Sequence, residues 1–208
     1  MHDGHPGAYS RRHTVAGPYY ASPVLTAWAD ESGSRPDKDP GAYLLGTVLC
    51  EDVDVAEIRK TMDGLRIGEP KLHWHGSSHE RRGRLIEAVA QLPVTGFVVV
   101  HVDDGANDRR HRRKCMEFLL PHLADMPCST ITFESRGQLD DSDLATLQFL
   151  RSRRVIESTL RIEHAVGRVE PALWPADIVC GAVVQARIGN REYLDALGGA
   201  VELHHLGL

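Results

Sequence analysis

Three short stretches of the 208-residue chain carry carboxylates where the neighbouring residue types give no ordinary reason for a charge. Asp177 lies in ALWPADIVCGAVVQARI, and a helix over 173–188 would place it one turn from Leu173, Trp174, Cys180, Gly181 and Val184. Such a helix is apolar enough to be buried all round, and a buried charge must be paired or bind a metal. In WADESG a strand ends in Asp30 and Glu31. Alternation puts Trp28 with Asp30 on one sheet face and Ala29 with Glu31 on the other, so only one acid can enter a given site; Asp30 is the candidate. Glu134 closes STITFE, sharing a face with Thr130 and Thr132, at the C-terminal strand end where open α/β sheets place their sites. Acids gathered in this way repel one another without a cation, and all-oxygen sets hold hard divalent ions such as Mg²⁺ or Mn²⁺. Two of these acids also have a purely structural reading: Asp177 as a helix cap or a partner of the helix dipole, Asp30 as a turn former.

Lys71, His73 and His75 in KLHWH share a face if that segment is extended. Two histidines at this spacing could ligate zinc, but the sequence offers no evident third ligand. A phosphate contact or a proton shuttle beside the carboxylates is the functional role that suits them better. With 12 histidines in the chain, surface histidines without a role explain the pair equally well. RRHRRK, residues 109–114, opens a helix with Arg109 and Arg110, and Arg151, Arg153 and Arg154 form a second basic group. Runs like these grip phosphates or simply face solvent. No P-loop, GxSxG, HExxH or GxGxxG motif is present, which excludes the corresponding NTPase, hydrolase, zincin and dinucleotide readings.

The elements that position these residues follow from periodicity. Residues 1–22 have no apolar period and are expected to be a flexible leader, with the domain running over 23–190 and a C-terminal tail, 191–208, packed on the domain or on a partner. Strands are predicted at 24–30, 42–49, 95–104, 129–134 and 160–166, and helices at 53–66, 78–91, 108–124, 141–157 and 172–189. The first two strands suggest a hairpin, and the later alternation of strand and helix implies parallel pairing. The predicted architecture is an α/β mixed sheet of about five strands with helices on both faces.

Composition agrees with a globular chain: 42% hydrophobic, 25% charged and 6% aromatic. Twenty-nine acids against 24 bases give a net charge of −5, which argues against non-specific coating of nucleic acid but not against a local basic groove. The four cysteines form no CxxC pair and read as reduced, buried small hydrophobes. No apolar run reaches membrane-span length, and a cytoplasmic location is expected.

A resemblance reaches the same residues. DES at the end of the first strand, an acid on a later strand and PAD at the start of the last helix resemble the ribonuclease H-like superfamily. WADESGS, YLLGTVL, KLHWH and WPADIVCGAV further resemble the bacterial family catalogued as domain of unknown function 3800, over most of residues 24–188. The resemblance implies a ribonuclease H-like fold and a metal-dependent nuclease site in which two cations activate water and stabilise the leaving oxygen. It implies Asp30, Glu134 and Asp177 as metal ligands and Glu31 as an auxiliary catalytic group, with His73 a catalytic helper. Lys71, His75, Arg109 and Arg110 would contact a nucleic-acid substrate. Many superfamily members have a fourth acid on an early helix whose position the sequence does not fix here; Asp103 and Asp104, ending the central strand, are candidate substitutes. The rival readings are a non-catalytic interaction module of the same fold in a defence or mobile-element setting, and a zinc hydrolase centred on His73 and His75. The apolar C-terminal residues leave homo-oligomerisation open.

Overall fold

The computed structural model describes residues 24–33, 37–68 and 71–207; the leader expected at 1–22 lies outside them. Six strands, β1 (Leu25–Ser32), β2 (Ala42–Glu51), β3 (Thr95–Val102), β4 (Cys128–Glu134), β5 (Arg161–Ala165) and β6 (Val201–Leu206), form one sheet in the order β5-β4-β1-β2-β3-β6. The opening hairpin is present: β1 and β2 pair antiparallel, and β3 adds antiparallel to β2. The parallel pairs are β1 with β4, β4 with β5 and β3 with β6. The sheet therefore grows outward from the hairpin in both directions. β4 crosses back to β1 rather than joining β3, which had ended the preceding unit.

The strand count exceeds the expected five because of β6. Its sequence, VELHHL, alternates only weakly, as suits an edge strand with no buried residue, and reads as tail. The helices are α1 (Val55–Gly64), α2 (His79–Gln91), α3 (Asp108–Ala124), α4 (Asp140–Ser152), α5 (Trp174–Arg187) and α6 (Glu192–Ala196). Helix α4 stops short of its expected end because Arg154 takes a left-handed conformation, φ 57°, and turns the chain. Ser78 and Asn107 cap α2 and α3, accepting from the amides of Arg81 and Arg110 at 3.2 and 3.0 Å.

Two cores flank the sheet. Trp28, Leu44, Val48, Val98 and Val100 face α1, α2, α5 and α6, whereas Ala27, Ala29, Leu45, Phe97 and Val99 face α3 and α4. β3 is covered on both faces, as its unbroken β-branched run predicts. All four cysteines are buried and free. No helix among the described residues is long and apolar enough to cross a membrane.

Helix α5 lies very close to the hairpin, and glycine makes this approach possible. Gly46 sits opposite Asp30 in the β1–β2 register, and a Cβ there would collide with Cys180 Sγ and come within 3.2 Å of the Ala176 carbonyl. On the other side of the helix the Trp74 ring lies where a Cβ on Gly181 would be. Gly46→Ala is accordingly expected to displace α5 and to cost about 1–3 kcal/mol, measurable by denaturant melting, with the variant still folded.

Candidate carboxylate site

Because β1 and β4 are parallel neighbours, their C-terminal ends bring Asp30 and Glu134 together on the α5 face, and Asp177 enters from the first turn of α5. Pro175 occupies that turn, where its missing amide costs no hydrogen bond. Asp30 accepts from the Glu31 amide at 2.8 Å, and Cys180 Sγ lies 3.6 Å from the Asp30 carbonyl. Asp177 accepts from the Trp74 amide at 3.0 Å. Lys71 enters among the acids: its ammonium pairs closely with Glu134 and stands 3.9 Å from Asp30.

Burial, together with the charges of Asp177 and Glu134, pushes the Asp30 carboxyl well above the usual range, against the opposing pull of Lys71. Hydrogen-bonding contact with Glu134 adds to the rise. Burial also raises Asp177, although the Trp74 amide, Lys71 and His73 act the other way. Among the described residues, three carboxylates thus share the site with one ammonium, and the charge they carry is under-compensated. Among the described residues no three His, Cys, Asp or Glu side chains are placed as a ready ligand set. The donor chemistry nevertheless fits a hard divalent cation: oxygen ligands only, with excess negative charge held by two strand ends and a helix.

KLHWH is not a strand. It is an irregular segment in which Leu72 and Trp74 anchor the chain in the core, Lys71 is buried, and His73 and His75 are exposed. The three do not share a face, but all lie near the carboxylates: His73 acts on Asp177 electrostatically, and His75 borders the same cavity as Asp177. This cavity, about 370 Å³, opens beside Asp177 between Ser32, Trp74, Arg82 and Gln185, and Asp37 reaches its rim. Arg82 lies with its guanidinium 5.0 Å from the Trp74 ring centre, its Nη2 donates to the Trp74 carbonyl at 3.5 Å, and its buried Nε has no hydrogen-bond partner among the described residues. Arg82 is a site residue that sequence reasoning passed over, since it reads as one of several arginines opening α2.

Several expected residues are not brought here. Glu31 turns to the opposite sheet face, as strand alternation requires, and pairs closely with Arg112. Arg109 and Arg110 open α3 on that same far face; Arg109 is exposed and Arg110 stands 3.5 Å from Asp103. Asp103 and Asp104 follow β3, two strands away from Asp30, and Asp103 accepts from the Gly105 amide in its own loop.

The far face holds a separate network. Arg112, only 2% exposed, donates to both oxygens of Asp143 at 2.9 and 2.8 Å and binds Glu31; His164 and Arg136 reach Asp143 at 3.0 and 3.4 Å. Burial alone would raise Asp143, but the hydrogen bonds and charge of Arg112 outweigh it and hold the carboxyl below the usual range. A depressed carboxyl stabilises the fold above its unfolded pKa, and that stability is lost as pH falls through the folded value. The stability advantage over Asp143→Asn is therefore expected to be full at neutral pH and to shrink below about pH 4, as acid titration of melting would show.

No family model and no curated protein matches the chain. Solved structures do. The chain superposes on a chain of the PCNA:RNase HII complex from Archaeoglobus fulgidus with a TM-score of 0.51, 18% identity, and coverage of 79% of this chain and 74% of that one. The fold is ribonuclease H-like. A point mutant of Bst-RNase HIII matches with a TM-score of 0.51 and 16% identity over 88% of this chain. Bst-RNase HIII in complex with Mn²⁺ matches with a TM-score of 0.52 and 16% identity over 79%. This chain covers only 60% and 53% of those two ribonuclease HIII chains. At such identities the likeness shows the fold alone.

Proposed function

We propose that the protein is a divalent-metal-dependent phosphodiesterase acting on nucleic acid, with Asp30, Glu134 and Asp177 holding the Mg²⁺ or Mn²⁺. The observation that carries the reading is the gathering of three carboxylates, from two strand ends and a buried helix, in an enclosed site with a single ammonium for compensation. Support comes from the fold, since one structure that shares it was solved with Mn²⁺ and another is a ribonuclease HII complex. The short motifs that resemble the family of unknown function 3800 include all but Glu134 of these acids together with Lys71.

When bound, the cation would supply activation of water and neutralisation of charge on the phosphate. The chain supplies the rest. Asp30 and Asp177 are held by backbone amides, so their carboxylates are oriented before substrate arrives. Arg82 lines the cavity beside Asp177 and offers its guanidinium to a phosphate oxygen there, with His75 bordering the same space. His73, exposed and close to Asp177, is placed to carry a proton between the site and solvent. Glu31 binds Arg112 on the other face and serves to fix the end of β1 rather than to meet substrate.

End-labelled DNA, RNA and hybrid strands incubated with Mg²⁺ or Mn²⁺ test the reading. Cleavage of at least one, lost in chelator and in Asp177→Asn, is expected; absence of cleavage together with absence of metal uptake would favour the interaction module.

A further inference from the structure

We propose that the Lys71 ammonium is a built-in cation of the carboxylate site, standing in for one of two metal ions, so that the site takes up a single divalent cation between Asp30 and Asp177. The proposal rests on the reading of these acids as a metal site and refines it in two respects: it fixes the number of ions at one, and it gives Glu134 to the Lys71 ammonium rather than to the ion.

The geometry supports this in three ways. Lys71 is only 8% exposed, and its segment is fixed by Leu72 and Trp74, both in the core. The same segment supplies the Trp74 amide that holds Asp177, so a few consecutive residues set both the ammonium and one carboxylate. Glu134, for its part, is already committed. Its carboxylate pairs with Lys71 and packs against Gly167, in space that the missing Cβ leaves open. Asp30 is shared, with Lys71 at 3.9 Å, whereas Asp177 accepts from the Trp74 amide on one oxygen.

Charge leads to the same count. Three carboxylates are neutralised by one ammonium and one divalent cation. A second divalent cation beside Lys71 would set positive charges against each other in an enclosed site, where little water screens them. A hard cation such as Mg²⁺ commonly takes one or two protein carboxylates and completes its shell with water and substrate phosphate, so Asp30 with Asp177 is a sufficient protein share.

The test is Mn²⁺ titration of the full chain by calorimetry, with electron paramagnetic resonance of the loaded protein. The wild type is expected to bind one ion per chain and to give the spectrum of an isolated Mn²⁺. Lys71→Met, which keeps the apolar stem and removes the charge, is expected to bind two ions that are magnetically coupled. Lys71→Arg is expected to remain at one. Two coupled ions in the wild type, or one ion in a Lys71→Met variant that melts cooperatively, would overturn the proposal and leave the metal reading standing. No Mn²⁺ uptake by either protein would overturn both. If Lys71→Met does not fold, the wild-type count alone decides.

Discussion

Asp177→Asn is expected to weaken Mn²⁺ binding by at least about 100-fold while leaving the chain folded. Asparagine keeps the volume and the oxygen that accepts from the Trp74 amide, so the anchor between KLHWH and α5 survives; only the charge goes. That charge is unfavourable in the metal-free protein, because burial has already raised the Asp177 carboxyl. The melting temperature of the chelator-treated variant is therefore expected to equal or exceed that of the wild type. Calorimetric titration checks the first half of the prediction and thermal melting the second. A variant that fails to fold would mean that Asp177 is a structural cap whose negative charge the helix needs.

Arg112→Met is expected to be the most damaging substitution to stability, costing about 3–5 kcal/mol. It leaves Asp143, 1% exposed, without its bidentate partner and removes the close partner of Glu31 at the end of β1. For a chain of this size the melting temperature should fall by on the order of 10 °C. His164 and Arg136 remain beside Asp143 but do not replace a guanidinium that meets both oxygens. Removing the stranded acid as well, in Arg112→Met with Asp143→Leu, is expected to recover part of the loss, because the larger cost is that of an unpaired buried charge. A loss below about 1 kcal/mol in the single variant would show that the network is solvated and carries little energy.

Much of the site is legible in sequence because period-two alternation is a strong constraint. WADESG and STITFE each assign their acids to a face, and the structure keeps Asp30 with Glu134 and sends Glu31 the other way. The apolar residues around Asp177 likewise announce a buried helix. What sequence misses is set by tertiary contact. Lys71 reads as a phosphate contact beside the carboxylates, since nothing local reveals that its segment abandons strand geometry and pairs the ammonium with Glu134 and Asp30 themselves. Arg112 is hidden inside RRHRRK, where helical periodicity buries it and His111 while Arg109, Arg110, Arg113 and Lys114 stay exposed. Its partner Asp143 is hidden in the same way among the acids that open α4. The pairing of β4 with β1, which makes the site, joins segments far apart in the chain and leaves no local trace.

Anomalous diffraction from crystals soaked in Mn²⁺ tests the metal site most directly. An anomalous peak is expected within coordinating distance of the Asp30 and Asp177 carboxylates, absent from crystals of Asp177→Asn. A saturating soak that leaves those carboxylates without a peak, or that places the ion on His73 and His75 instead, would contradict their assignment as metal ligands.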